Sequence, residues 1–154
     1  MIDPTVRTAQ IHDLAELNRL ENEAREALIA ARGGARLLEM LPLRSNHWFE
    51  AGIEVLVADL DGLCVGYLVG VPGEIWKVEI VYVMPQAREV GFGDALLEMA
   101  MDSARGSGAR RFEAIALPGD RETKNLYERA GVTAKAITVA VELSGPSSEV
   151  PSSR

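Results

Sequence analysis

Apolar residues recur at three- and four-residue steps at Leu17, Leu20, Ala24 and Leu28, with Glu16, Glu23 and Arg25 between them. That spacing predicts a helix from His12 to about Ala31. The short mixed stretch before it, Val6 to Ile11, reads as a first strand. Gly33-Gly34 is a break, and Leu37, Leu38 and Leu41 mark a second short helix that stops near Pro42. Residues 44–52 hold no period and read as a loop. The period then shortens. Ile53 to Asp59 predicts a strand, and Asp61-Gly62 a two-residue hairpin turn. Leu63 to Val71 is the returning strand. Pro72-Gly73 turns the chain into a third strand, Ile75 to Met84. The three form an antiparallel meander.

Past Pro85 helical spacing returns. Phe92, Leu96, Ala100 and Ala104 stand four apart with Leu97 and Met101 alongside, predicting a helix from Gly91 to Arg105 that Gly106 and Gly108 end. Arg111 to Leu117 reads as a strand and Asp120 to Ala130 as a helix with Gly131 as its C-cap. Thr133 to Leu143 reads as a last strand. The segment from Ile75 to Leu117 is a strand–helix–strand crossover, which places its two strands parallel. The expected fold is one α/β domain over residues 1–143, a mixed and mostly antiparallel sheet with helices on both faces. The Ser/Pro-rich stretch 144–154 is expected to be a disordered tail.

Composition narrows the class. A chain of 154 residues that is 47% hydrophobic can bury a core without a metal or disulfide staple. Cys64 is the only cysteine, so neither an internal disulfide nor a thiolate cluster can form. His12 and His47 lack ligand spacing, and no metal is expected. The net charge of −7 argues against a nucleic-acid partner. No apolar run approaches the roughly 20 residues of a membrane span, and Met1-Ile2-Asp3-Pro4 is not signal-like. A cytoplasmic protein, possibly a homodimer, is the expectation.

The candidate chemistry lies where the third strand runs into a helix through Arg88-Glu89-Val90-Gly91-Phe92-Gly93-Asp94. The first N–H groups of a helix have no partner within it and carry partial positive charge. A phosphate fits such a site, glycines let the backbone approach it, and Arg88 can add a full charge. Alone, a G-x-G reads equally as a tight turn. Leu96 occupies the third-glycine position of a dinucleotide fingerprint, and no Gly-Lys pair precedes a Ser or Thr as in a P-loop.

Two motifs together resemble the GNAT superfamily of N-acetyltransferases. One is Val83-Met84-Pro85 followed by Arg88-x-x-Gly91-x-Gly93; the other is Leu126-Tyr127-Glu128 closing on Gly131. The element order matches as well, over roughly residues 5 to 143. The resemblance implies a splayed pair of central strands, acetyl-CoA as co-substrate and an amine acceptor, small molecule or peptide. It implies that pantetheine pairs with the strand edge near Val81, Tyr82 and Val83, and that the pyrophosphate sits on the N–H groups of residues 88 to 94. Asp120 stands where many relatives carry asparagine, with Asn125 nearby as a substitute contact, and Val132 replaces a usual aromatic.

A protonated acceptor amine must lose a proton before it attacks a thioester, and a carboxylate can take it. Glu79, two residues before Val81, falls by simple alternation on the face of Val81 and Val83, and Lys77 shares it. It reads as the general base or as a solvated strand residue. The resemblance implies that Tyr127 reprotonates the CoA thiolate; the alternative is a half-buried aromatic on an amphipathic helix. Trp48 and Phe49, in the loop before the second strand, read as acceptor-pocket residues or as a lid over the core. The runner-up function is a non-catalytic acyl-CoA sensor of the same fold.

Overall fold

The computed structural model describes residues 4–143. A five-stranded sheet runs in the order β1 (Thr5–Thr8), β2 (Glu54–Leu60), β3 (Leu63–Val71), β4 (Ile75–Val83) and β5 (Arg111–Ala114). The first four strands are antiparallel and β5 is parallel to β4. The helices are α1 (Leu14–Ala30), α2 (Gly34–Met40), α3 (Phe92–Gly106) and α4 (Arg121–Arg129). The Asp61-Gly62 turn forms as expected, with positive φ at both residues (52° and 88°), the twist that suits a two-residue hairpin.

The two sheet faces bury separate clusters. Leu96, Leu97 and Ala100 of α3, with Leu126 and Tyr127 of α4, pack on Leu56, Leu68, Trp76, Val78 and Val83. Leu17, Leu20 and Ala24 of α1 pack with Trp48 on Val55, Val57, Tyr67 and Val69. Gly70 is needed where it stands, because a Cβ there would lie 2.0 Å from the Trp76 ring. The entry to α1 is pinned by Asp13, whose buried carboxylate takes two hydrogen bonds from Arg7 (2.8 and 2.9 Å) and one from the Gln10 N–H (2.7 Å).

The last expected strand does not form. Residues 133–143 have no regular structure and are exposed throughout. The alternation is present, but a strand exists only when its N–H and C=O groups meet a neighbour, and this segment pairs with none among the described residues. β5 is therefore the last strand of the sheet. The expected tail, 144–154, lies outside the described residues.

Candidate active site

β4 and β5 part company halfway. Pairing runs from Ile75 opposite Arg111 to Val78 opposite Ala114 and then stops. Glu79 to Val83 thus face an opening on the β5 side, the cleft expected between the two strands.

Glu79 sits at the point of separation. Val69 of β3 pairs with Ile80 and Gly70 with Val78, so Glu79 is the extra residue of a β-bulge. The bulge shifts the phase of the strand. Trp76 and Val78 lie on the α3 face before it and Val81 and Val83 after it, whereas Ile80 and Tyr82 pack with the α1 cluster. Simple alternation put Glu79 on the face of Val81 and Val83; the bulge overturns that and turns its side chain to the α1–α2 face.

There Glu79 is ion-paired with Arg44, from the loop before β2, rather than with Lys77. Arg44 is itself positioned. Its N–H donates to both oxygens of Glu21 (3.2 and 3.1 Å), and its guanidinium lies 5.9 Å from the Trp48 ring centroid. Trp48 is buried, donating its indole N–H to Asn18 (2.7 Å), while Phe49 is exposed. Glu21, Arg44, Tyr67 and Glu79 line a cavity of about 20 Å³, room for about one water molecule. The buried Tyr67 hydroxyl has no partner among the described residues, and burial raises its pKa. Burial also raises the pKa of Glu21.

Sequence reasoning passed over Glu21 and Arg44. Glu21 carried a signal: it stands four residues after Leu17 on the stripe that α1 buries, where an unpaired charge is costly. Arg44, in a loop without period, carried none.

At the other end of the opening β4 runs through a 3-10 turn (Pro85–Ala87) into α3. Glu89 and Gly91 take left-handed backbone, with φ of 67° and 100°, and Gly91 is the N-cap of α3. The N–H groups of Phe92, Gly93 and Asp94, the first of α3, have no partner within the helix and meet no other acceptor among the described residues. A row of free donors at a helix start is the kind of site a phosphate group needs. Gly93 serves packing as well, since a Cβ there would touch Leu126 at 3.4 Å. Arg88 was expected to offer its charge to a phosphate, but its guanidinium is already engaged. Its guanidinium donates to the Val83 carbonyl (2.8 Å) and to Glu122 (3.0 Å), and lies over the Tyr82 ring at 5.7 Å. Asp94 is paired with Arg129 of α4 at 3.0 Å.

Tyr127 is buried in the cluster on the α3 face of the sheet, the face opposite the Glu79 side chain. Burial, with a smaller contribution from Asp120, raises its pKa, so the phenol keeps its proton. The Tyr67 hydroxyl and the Trp76 indole N–H, by contrast, are buried without a partner among the described residues. Asp120 does not turn to a ligand. It caps α4, accepting from the Thr123 N–H (3.2 Å) and hydroxyl (2.6 Å). Asn125 is exposed on α4.

The profile of the acetyltransferase (GNAT) family matches residues 12–132, which hold the opening, the free N–H row and Tyr127. The chain belongs to the GNAT family. Solved GNAT-fold structures superpose over nearly its whole length. A ribosomal-protein-alanine N-acetyltransferase from Brucella melitensis biovar Abortus 2308 is 18% identical with a TM-score of 0.68, covering 93% of this chain and 99% of its own. The aminoglycoside acetyltransferase AAC(6')-Iy, bound to a bisubstrate analogue containing CoA, is 14% identical with a TM-score of 0.66, over 92% of this chain and 100% of its own. An acetyltransferase from Trypanosoma brucei is 22% identical with a TM-score of 0.65, over 92% and 100%. No curated protein matches the sequence significantly. Among the described residues no helix is long and apolar enough to cross a membrane, and no group of three or more His, Cys, Asp or Glu side chains is placed to hold a metal ion.

Proposed function

We propose that this GNAT protein is an N-acetyltransferase that moves an acetyl group from acetyl-CoA to an amine by direct attack on the thioester. One observation carries the reading: β4 stops pairing with β5 after Val78, so an unpaired strand edge runs from Glu79 to Val83 towards the free N–H groups that open α3. The N–H groups of residues 89–94 would hold the pyrophosphate. The unpaired edge from Val81 to Val83 would take the pantetheine amides, with the Val83 carbonyl already occupied by Arg88.

The amine approaches from the α1–α2 side. Alkyl amines have pKa values near 10.4, so at neutral pH the acceptor arrives protonated. Glu79, directly or through one water in the adjoining cavity, accepts that proton as the nitrogen lone pair attacks the carbonyl carbon. The C–S bond breaks, the departing thiolate takes the phenolic proton of Tyr127, and the second proton, which the nitrogen sheds on becoming an amide, returns through solvent to restore the phenol. Two of the three named structures are N-acetyltransferases by name, one of a ribosomal-protein alanine and one of an aminoglycoside, which supports an amine acceptor here.

A second reading is an acyl-CoA sensor, favoured by the ion pair that engages Glu79. A panel of amines assayed by free-thiol release from acetyl-CoA separates the two. Turnover with any amine supports the enzyme. Binding of acetyl-CoA without turnover supports the sensor, and absence of binding sinks both.

A further inference from the structure

The recess beside Glu79 carries charge of both signs. The carboxylates of Glu21 and Glu79 and the guanidiniums of Arg25 and Arg44 line it together. Glu21 takes the Arg44 N–H on both oxygens, and Arg25 donates to the Leu41 carbonyl (2.6 Å). The Arg44–Glu79 ion pair is therefore the contact that an acceptor amine has to open on its way to Glu79.

Opening that pair leaves Arg44 behind. Its N–H is fixed on Glu21, and its guanidinium lies 5.9 Å from the centroid of the Trp48 ring, which Asn18 fixes in turn. The Arg44 side chain is only 17% exposed. An ammonium group that takes Glu79 for itself would strand a part-buried guanidinium, and a charge that loses its partner in such a place is costly. An acceptor that brings its own carboxylate removes the cost, because one ion pair is exchanged for two. Arg44 and Glu79 are in direct contact, so the acceptor's two charges have to be close together as well. An ammonium and a carboxylate on one carbon meet that condition. A protein lysine or a peptide N-terminus does not, because its neighbouring carboxyl is tied up in an amide.

The rest of the recess is apolar. Leu38, Leu41, Pro42 and Ile80 line it and suit a hydrocarbon group on that same carbon. The Tyr67 hydroxyl, buried without a partner among the described residues, opens on it too, so a polar atom is wanted there. We propose that the acceptor is a free α-amino acid with an apolar side chain, its ammonium on Glu79 and its carboxylate on Arg44. Its role as acceptor rests on the proposed acetyl transfer; its binding does not. The cavity has room for about one water, through which the Tyr67 hydroxyl reaches the bound carboxylate.

Calorimetry on the full chain in excess CoA, which cannot donate an acyl group, tests the binding at neutral pH. Leucine, methionine and phenylalanine are compared with 3-methylbutylamine, 3-(methylthio)propylamine and 2-phenylethylamine, the same molecules without the carboxylate. All carry a cationic nitrogen at that pH. At least one amino acid should bind about tenfold or more tighter than its amine, the worth of a charge-assisted contact. Equal or weaker binding by all three amino acids overturns the proposal. Arg44→Gln should remove the preference, weakening the amino acid about tenfold while the amine binds as tightly or more so, since Glu79 is then free. A loss shared by both ligands would make Arg44 a packing residue and overturns the proposal as well. Acetyl-CoA in place of CoA then reads thiol release separately. An amino acid that binds with the expected preference and releases no thiol sinks the acetyl-transfer reading and keeps the site. Turnover of amines with no preference for the amino acids keeps that reading and overturns the site.

Discussion

Arg44 and Glu79 meet on the α1–α2 side of the sheet, the guanidinium of a loop residue against the carboxylate of the bulged residue of β4. Neither is deeply buried, with side chains 17 and 28% exposed. On the proposed function, a charged acceptor amine would reach the same carboxylate and compete there with Arg44. In this arrangement the carboxylate that would take the proton is the one that first attracts the cationic acceptor.

Glu79→Gln should accordingly lower kcat at neutral pH by about 10²-fold, the usual worth of one general base. Raising the pH towards the amine pKa should recover part of the loss, because the acceptor then arrives deprotonated. The pH–rate profile of the variant against wild type is the measurement. Identical profiles would move the role to another group.

Tyr127→Phe keeps the buried ring and removes only the hydroxyl. If that hydroxyl protonates the leaving thiolate, kcat should fall about 10²-fold with acetyl-CoA affinity nearly unchanged, the pattern of an interaction made only as the bond breaks. Steady-state kinetics paired with calorimetric binding decides it. Weaker binding at unchanged kcat would leave Tyr127 a packing residue.

Gly91→Val tests the N–H row. At φ of 100° a β-branched residue is strained, and its Cβ would also lie 3.2 Å from the Pro4 ring. Re-aiming the loop should weaken acetyl-CoA binding by about tenfold or more, a loss of ~1.4 kcal/mol, while the rest of the sheet persists. Wild-type affinity by calorimetry, with unchanged circular dichroism, would remove the phosphate role from this loop.

Asp13 should make folding acid-sensitive. The doubly hydrogen-bonded Arg7 guanidinium, helped by the Gln10 N–H, outweighs burial and holds the carboxyl at about 2, below its ordinary 3.8. A depressed folded-state pKa stabilises above the unfolded pKa, and that stability is lost as the pH falls through the folded value. About 2 kcal/mol should therefore disappear between pH ~4 and ~2. Denaturant melts across that window check it, with Asp13→Asn expected to be less stable at pH 7 and flatter below. An equally steep acid limb in the variant would place the titration elsewhere.

Much of this was legible where the determinants are local. The Asp61-Gly62 turn, the stripe of α1 and the glycines that open α3 each act over a few residues, and each is found where the sequence places it. Three features were not. Residues 133–143 alternate correctly, but pairing depends on a neighbour distant in sequence or on another molecule. Arg44 reaches Glu79 across 35 positions through a loop with no periodic constraint. The bulge at Glu79 is hidden because Ile80, Val81, Tyr82 and Val83 are apolar on both faces, so the change of phase leaves no polar–apolar trace.

That extra residue in β4 also governs how this chain is matched to others. At 14–22% identity the correspondence of positions rests on geometry. A strand of the same length without the insertion runs in step with β4 on only one side of residue 79. Aligned from Trp76, its residues after that point sit on the wrong face; aligned backwards from Val83, those before it do. An acid one position away in such a homologue can thus occupy the same place in space as Glu79, while an acid in the same column points into the opposite core.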